Sequence, residues 1–169
     1  MKKLAFVGLL AGLWLQTGSA AADVGGTNLP FRASGSGTIF ESGQSGSLIG
    51  SSRGLHLGTG SFSGASFTFS FPPPCGFGTE QGDITLDLGA ANGDELYLTI
   101  VQGLCQAGAT QTYDGTGTYT IDGGTGRFVN ATGRGTSSTQ AVFPDSSPFG
   151  AGTFTYTERG TLSLNTAGS

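Results

Sequence analysis

Strict alternation of apolar and polar residues is the feature that most constrains the fold of this chain. In SFTFSF, Phe67, Phe69 and Phe71 alternate with serine and threonine, and the same period of two recurs in DITLDLG, ELYLTIV, GTYTI and GTFTYT. Successive side chains of a β-strand point to opposite faces, so this period indicates strands with one buried and one solvated face. No stretch after the first 22 residues keeps helical spacing, and the chain is therefore predicted to be all-β.

Glycine-rich connections separate these stretches, and the chain contains 32 glycines. Asn92-Gly93 is a strong hairpin signal because both residue types tolerate a positive φ. The spacing predicts roughly seven to nine short strands, which suits an antiparallel barrel or a sandwich. An uninterrupted meander favours closure, since a closed sheet leaves no exposed edge. We therefore expect a single antiparallel β-barrel.

The N-terminus has the pattern of a secretory signal peptide over residues 1–22. Two lysines precede an apolar run that extends to about Leu15, and small residues follow at 20–22. The run is too short for a spanning helix and no stop-transfer pattern follows it. Cleavage would leave 23–169 as one barrel domain without a membrane span, in which 23–30 form a flexible arm. The prediction is bacterial export to the periplasm or the medium; an uncleaved anchor is the alternative.

The charge balance of residues 23–169 argues against two classes of partner. These residues carry five arginines, no lysine and all 11 acidic residues, which gives a net charge of −6. Nucleic acids and anionic membrane surfaces require clustered lysine and arginine, so neither is an expected partner. We expect no cofactor.

The two cysteines, Cys75 and Cys105, form an even pair in a chain that is predicted to be exported. Oxidising compartments favour disulfides, so we expect one bridge between the PPPC and QGLC segments. It would close a loop of about 30 residues and stabilise the fold by roughly 3–4 kcal/mol in the chain-entropy model. Two free thiols are the alternative. No metal site is expected, because neither CxxC nor HxxxH spacing occurs.

Few residues are candidates for catalysis. His56 is the only histidine, and no GxSxG motif surrounds any serine, so a Ser-His-Asp site is not expected. The carboxylates of Asp83, Asp87, Asp94 and Glu95 are interpreted as solvated groups at strand ends or on polar faces.

Glu158 is different, because it shares the parity of Phe154 and Tyr156 in the last alternating stretch. On a continuous strand it would face the core, where a carboxylate must be paired or have a raised pKa. Arg127 is one candidate partner. The alternative, which we expect, is that the strand ends or bulges at Arg159 and leaves Glu158 in solvent. Glu158 is the one candidate catalytic residue.

The glycines of the segment IDGGTGRF, residues 121–128, could form a phosphate-binding loop or could only shape the turn between two strands. A Walker A loop requires Lys-Ser or Lys-Thr after its last glycine, whereas Arg127-Phe128 stand here. A dinucleotide fingerprint requires a long helix after its glycines, and none is predicted. We interpret Gly123 and Gly124 as a tight reversal with positive φ. One helical turn from Gly126 would then point Phe128 into the core.

The surrounding stretch GTYTIDGGTGRFVNATGRGT, residues 117–136, resembles the most characteristic segment of the allene oxide cyclase barrel-like and dirigent-like superfamily. In that group a strand runs into GGTGRF, and a small residue, a glycine and the next strand follow. The resemblance covers this one segment and implies an eight-stranded antiparallel calycin-like barrel with an apolar interior. Known relatives are plant cyclases of oxidised fatty acids and dirigent proteins that steer phenoxy-radical coupling. The resemblance assigns no catalytic residue to this chain.

Three functions are consistent with these features. The first, which we favour, is an exported barrel that binds a small apolar or aromatic molecule in its interior, as barrels of about eight strands can. The second is a non-catalytic structural or interaction protein of the cell surface or medium. The third is a cyclase- or isomerase-type enzyme that acts through cavity shape. The candidate lining residues share one face of the strands and are Phe67, Phe69, Phe71, Leu96, Leu98, Tyr119, Phe154 and Tyr156.

Overall fold

Eight antiparallel strands form one sheet that closes into a barrel in the computed structural model. The structure describes residues 25–42, 45–68, 82–107, 111–144 and 150–164, with the backbone alone for 63–68 and 82–87. The strands are β1 (Gly26–Ser42), β2 (Ser45–Gly54), β3 (Gly58–Thr68), β4 (Gly82–Gly89), β5 (Glu95–Gln106), β6 (Thr112–Gly124), β7 (Thr132–Val142) and β8 (Gly150–Leu164). Each strand pairs with the next, and β8 pairs with β1, so the predicted all-β barrel is confirmed.

The alternation in the sequence becomes an interior and an exterior face. The predicted lining residues Leu96, Leu98, Tyr119, Phe154 and Tyr156 are all at most 5 % exposed. Burial of each large apolar side chain stabilises the fold by about 1.5–3 kcal/mol, which is what drives this face inward. The strands are longer than the short strands we expected, since they span 8 to 17 residues.

Aromatic rings pack against one another inside the barrel. The ring centroids of Phe31 and Tyr119 lie 5.8 Å apart, edge to face. Phe62 lies 5.7 Å from both Phe154 and Tyr156. Such contacts add about 0.5–1.5 kcal/mol per pair beyond area burial. A further pair, Tyr113 and Phe143, has its centroids 5.9 Å apart. Along β8, Glu158 lies between Tyr156 and Gly160, the glycine beneath the Tyr119 hydroxyl.

Glycines on the inner face make room for the two tyrosines. Tyr119 pairs with Gly135 on β7, and Gly135 pairs with Gly160 on β8. A Cβ atom at Gly135 would lie 2.6 Å from Tyr119 Cε1, and one at Gly160 would lie 2.5 Å from the Tyr119 hydroxyl. At Gly35 a Cβ would lie 2.5 Å from Tyr156 Cε1. Each ring therefore lies flat across neighbouring strands that carry no side chain at that point.

The N-terminal arm prediction is wrong for residues 26–30. These residues form the beginning of β1, and Leu29 and Pro30 pair with Leu162 and Thr161 of β8. A register shift between Gly26 and Leu29 accommodates Asn28, whose φ is +54°. These residues form a strand because pairing with β8 satisfies their backbone groups, and the local sequence GTNLP does not show that pairing.

The helical turn and the buried Phe128 predicted for the IDGGTGRF segment are both present. Gly126–Phe128 form a single 3-10 turn between β6 and β7, and Phe128 is 0 % exposed. The positive φ values fall at Gly123 (+117°) and Gly126 (+53°) rather than at Gly123 and Gly124. A side chain at Gly126 would collide with the carboxylate of Asp94, so the turn is held tightly against the β4–β5 hairpin.

Arg127 joins three hairpin ends at this end of the barrel. Its Nη2 donates a hydrogen bond of 2.6 Å to the carbonyl of His56, in the β2–β3 turn. Its Nε lies 3.8 Å from Asp94 Oδ2, in the β4–β5 turn, and its guanidinium lies 4.8 Å above the Phe128 ring. This arginine is thus engaged within the protein, which agrees with the structural interpretation of the segment.

Some predictions fall on residues outside the described ranges. These are the signal peptide at 1–22, the side chains of Phe67, Phe69 and Phe71, and Cys75. Cys105 lies near the end of β5 and is half-buried, and no cysteine in the described part of the chain is free. The Cys75–Cys105 pairing itself stays a prediction.

Candidate binding site in the barrel interior

Glu158 lies inside the barrel, and our expectation that it is solvent-exposed is wrong. Its side chain is 0 % exposed, and β8 continues past it to Leu164. The strand neither ends nor bulges at Arg159, because Arg159 pairs with Arg32 of β1 on one side and with Thr136 of β7 on the other. Two-sided pairing keeps the alternation in phase, so Glu158 faces the same way as Tyr156.

Glu158 also has different neighbours from those we expected. Arg127 does not contact it, because that arginine is bound to His56 and Asp94. Instead the hydroxyl of Ser137, the residue opposite Glu158 on β7, donates a hydrogen bond of 2.9 Å to Glu158 Oε1. The carboxylate is thus held by a neutral hydroxyl and by no arginine.

Two further polar side chains extend this arrangement toward β5. Gln102 is 4 % exposed, and its Oε1 lies 3.4 Å from Ser137 Oγ. The same Gln102 oxygen accepts a hydrogen bond of 3.0 Å from Thr139. The Gln102 side chain reaches Ser137 across Gly117, where a Cβ would lie 2.6 Å from Gln102 Cβ. A polar row therefore crosses three strands of an otherwise apolar interior.

Several polar atoms in this region have no hydrogen-bond partner among the described residues. They are Glu158 Oε2 and the hydroxyl oxygens of Tyr119, Tyr156 and Ser52. The Ser52 hydroxyl lies beside that of Tyr156 and partly offsets the rise in the Tyr156 pKa, so these two hydroxyls have at most each other as partners. We call the following residues the interior polar cluster: Glu158, Ser137, Gln102, Thr139, Tyr119, Tyr156 and Ser52.

The electrostatics of the cluster follow from burial. Burial raises the pKa of Glu158 to about 7, although the Ser137 hydrogen bond opposes the rise. Burial and, to a lesser degree, the charge of Glu158 raise the pKa of both Tyr119 and Tyr156 above the ordinary value. Both phenols therefore remain protonated at neutral pH, whereas Glu158 exchanges its proton there. The site offers hydrogen-bond acceptors, two phenol donors and one group suited to proton transfer.

The sequence missed the polar partners of Glu158. Gln102 alternates in phase with the buried residues Ile100 and Leu104, and Ser137 alternates in phase with the buried Ala141. This alternation could have predicted that both side chains face the interior. Ser52 gave no comparable signal, because its inward neighbours are glycines.

The other candidate residues lie away from this cluster. His56 is in the β2–β3 turn with φ +71°, rather than on a strand. Asp94 and Glu95 lie at the β4–β5 turn. The side chains of Asp83 and Asp87 are outside those described. Within the described ranges, no group of three or more His, Cys, Asp and Glu side chains is placed to hold a metal ion.

Two open depressions, of about 500 and 380 Å³, lie along β1 and its neighbouring strands, and the larger is also lined by Ser52 and Tyr156 of the interior polar cluster. Ser36 and Thr155, which pair between β1 and β8, line both of them. We call this pair of depressions the hydroxyl groove, because most of its outward side chains are serine and threonine. The remaining outward lining residues are Ser34, Thr38, Ser51, Arg53, Thr59, Gln140, Val142, Thr153 and Thr157.

No protein-family model, no curated protein and no solved structure matches this chain. In the part of the chain that the structure describes, no helix has the length and apolarity to cross a lipid bilayer. The function is therefore inferred from the fold and from the geometry of the interior.

Proposed function

We propose that this protein binds a small, largely apolar or aromatic molecule inside the barrel, with the polar end of that molecule on the interior polar cluster. The observation that carries the proposal is the set of unpartnered buried atoms around Glu158. Glu158 Oε2 and the Tyr119 hydroxyl have no partner within the described residues, and the hydroxyls of Tyr156 and Ser52 have at most each other.

The energetic cost of these atoms is what makes a ligand the favoured explanation. Each buried polar group without a partner costs about 1–3 kcal/mol, and native structures contain few of them. Here the two tyrosine hydroxyls lie near enough to Glu158 for its charge to raise their pKa, whereas the other unpartnered buried atoms that are described, His56 Nε2 and Arg127 Nε, lie in the turns at one end of the barrel. A ligand that supplies hydrogen bonds to the atoms around Glu158 would remove several of these costs together, and the surrounding rings supply an apolar wall.

Native mass spectrometry of the protein purified from its producing cells tests this proposal. A bound molecule that is lost on denaturation is the expected result. The matched comparison is Tyr119→Phe, which removes an unpartnered hydroxyl, against Tyr113→Phe, which removes one bonded to Gln111. Ligand occupancy should fall in the first variant alone. A bare mass combined with no uptake of apolar or aromatic probes contradicts the proposal.

The hydroxyl groove supports a second candidate function, that of an interaction protein. Its rows of Ser and Thr hydroxyls match a partner rich in hydrogen-bonding groups, such as a polysaccharide. Sedimentation with insoluble polysaccharides would measure this, with Ser36→Arg in the groove compared with Thr118→Arg on the outer face of β6. Loss of binding in the first variant only would support the groove, and binding unchanged by both would exclude it.

The pKa of Glu158 near 7 supports the third candidate, an isomerase- or cyclase-type enzyme. A buried acid that titrates near neutral pH is suited to moving a proton at working pH. Any molecule identified by mass spectrometry can be incubated with the protein, and its conversion followed by chromatography. Conversion by the wild type and not by Glu158→Gln would favour the enzyme over the binding barrel.

We further propose that the chain is an exported bacterial member of the allene oxide cyclase barrel-like and dirigent-like group, with a Cys75–Cys105 disulfide. The meander barrel and the 3-10 turn of GGTGRF support the group, and Cys105 near the end of β5 is compatible with the bridge. N-terminal sequencing of the purified protein tests cleavage near residue 22. A mass increase of about two hydrogens on reduction tests the disulfide.

A further inference from the structure

The described charges inside the barrel are all negative. Among the described side chains that face the interior, the charged ones are Glu158, 0 % exposed, and Glu41, 9 % exposed near the end of β1. Neither the Ser137 hydroxyl nor the Gln102 amide neutralises a carboxylate. An interior in which Glu158 has aromatic rings but no described cation beside it is complementary to a positively charged guest.

No basic side chain of the barrel domain is placed to supply that cation. Arg32, Arg53, Arg134 and Arg159 are exposed, and Arg127 is bound in the turn after β6. His56 lies in the β2–β3 turn. Residues 23–169 contain no other arginine, no lysine and no other histidine, so the undescribed segments of the domain cannot contribute one.

The unpartnered atoms can also accept hydrogen bonds, which is what a cationic donor requires. Glu158 Oε2 is an acceptor, and the hydroxyl oxygens of Tyr119, Tyr156 and Ser52 each have lone pairs free to accept. An ammonium group is a donor with up to three N–H bonds and no acceptor, so it matches such a set better than an alcohol does. The tyrosine rings on both sides of Glu158 add cation–π attraction, which is strongest when the cation is desolvated.

Resting on the function proposed above, we propose that the ligand is a small protonated amine with an apolar or aromatic substituent, whose ammonium group binds Glu158 between Tyr119 and Tyr156. The ion pair forms at a fully buried carboxylate that is also hydrogen-bonded to Ser137, and additional hydrogen bonds are the condition under which a buried pair is stable. The substituent packs among the rings that already occupy the barrel.

The pH dependence of binding separates an amine from a neutral ligand. The groups that face Glu158 are Ser137 on β7, Ala33 on β1 and the phenols of Tyr119 and Tyr156, none of them cationic. The pKa of Glu158 is about 7 before binding, and an aliphatic amine stays protonated well above pH 8. Amine affinity should therefore rise about tenfold from pH 6 to pH 8, as the ionised fraction of Glu158 rises. A neutral ligand that accepts a hydrogen bond from protonated Glu158 would show the opposite trend.

Titration calorimetry with three probes of matched shape tests the proposal on the purified full protein. The probes are 2-phenylethylamine, 2-phenylethanol and 3-phenylpropionate, each measured at pH 6 and pH 8. We expect the amine to bind about tenfold or more tightly than the alcohol at pH 8, the range expected for a charge-assisted hydrogen bond. The carboxylate should not bind measurably.

Variants connect the selectivity to the site. Glu158→Gln keeps the shape and removes the charge, so it should abolish the preference for the amine and its pH dependence. Glu95→Gln, which removes an exposed carboxylate, should leave both unchanged. Near-ultraviolet circular dichroism reports whether Glu158→Gln is folded. If it is not, Tyr119→Phe replaces it and should weaken amine binding more than alcohol binding.

The outcomes distinguish this inference from the function on which it rests. Equal binding of amine and alcohol, or an amine preference that survives in Glu158→Gln, overturns the amine assignment and leaves the binding barrel in place. Binding of none of the three probes, together with a bare native mass, overturns both.

Discussion

Ser137 and Glu158 face each other across the β7–β8 pair, and the serine hydroxyl donates a hydrogen bond of 2.9 Å to Glu158 Oε1 inside the barrel. The other carboxylate oxygen, Oε2, has no partner among the described residues. A fully buried carboxyl group with only one of its two oxygens hydrogen-bonded favours the protonated form. The stability of the barrel should therefore depend on pH.

The first prediction concerns stability and pH. The pKa of Glu158 in the folded protein, about 7, lies above its ordinary value of 4.5, so the folded state holds the proton more tightly than the unfolded state. The contribution to the free energy of unfolding is therefore fully present below pH 4.5 and is lost as pH rises through 7. The expected loss is about 3 kcal/mol. Urea unfolding at pH 5 and pH 8 measures it.

Glu158→Gln removes this titration. The stability of this variant relative to the wild type should increase by about 2.5 kcal/mol between pH 5 and pH 8. Glu95→Gln, at an exposed carboxylate, should show no such increase. Parallel pH profiles for the wild type and Glu158→Gln would show that Glu158 has an ordinary pKa.

The second prediction concerns the tyrosine hydroxyls, for which two matched variants should change stability in opposite directions. Tyr119→Phe removes a buried hydroxyl without a partner, so the ligand-free protein should become more stable by about 1–2 kcal/mol. Tyr113→Phe removes a hydroxyl that donates to Gln111 at 3.2 Å, so stability should fall by about 0.5–1.5 kcal/mol. Thermal unfolding of ligand-free protein measures both, and destabilisation by Tyr119→Phe would indicate a partner for that hydroxyl.

The third prediction concerns the glycines beneath the Tyr119 ring. An alanine Cβ at position 135 would collide with the carbonyl of Arg159 and lie 2.6 Å from Tyr119 Cε1. Gly135→Ala should therefore destabilise the barrel by about 1–3 kcal/mol or more, since both the strand and the ring must move. Thr136→Ala, at the outward-facing neighbour, should change stability by less than about 0.5 kcal/mol. Chemical denaturation compares the two, and similar effects would show that the ring is not confined by Gly135.

The fourth prediction concerns Arg127 as the residue that joins three turns. Arg127→Gln removes the bond to the His56 carbonyl, the attraction to Asp94 and the stacking on Phe128. We expect a loss of about 1–3 kcal/mol and faster amide exchange at Ala91, whose N–H bonds to the Leu57 carbonyl. Arg134→Gln, at an exposed arginine on β7, should have little effect. Unchanged exchange at Ala91 would mean that the turns hold together without Arg127.

Much of the fold was predictable from local patterns. The period of two in ELYLTIV placed Leu96 and Leu98 on the inner face, because strand geometry alone decides which side chains share a face. The helical turn at Gly126 and the burial of Phe128 also followed from the sequence, because a positive φ and a tight reversal are properties of neighbouring residues. These features depend on residues that are close together in the sequence.

The interior polar cluster depended on contacts that are distant in the sequence. From its position in the alternation, Glu158 could be buried on a continuous strand or exposed beyond a strand end. Arg159 pairs with both β1 and β7, so the strand continues and Glu158 is buried. The meeting of Ser137 with Glu158, and of Gln102 with Ser137, required the registers of three strands to be fixed together. The sequence by itself determined which apolar residues face inward and where the chain turns. The tertiary structure decided which inward polar groups meet, because barrel closure and register set those distances, and it left a carboxylate without a cation in an aromatic interior.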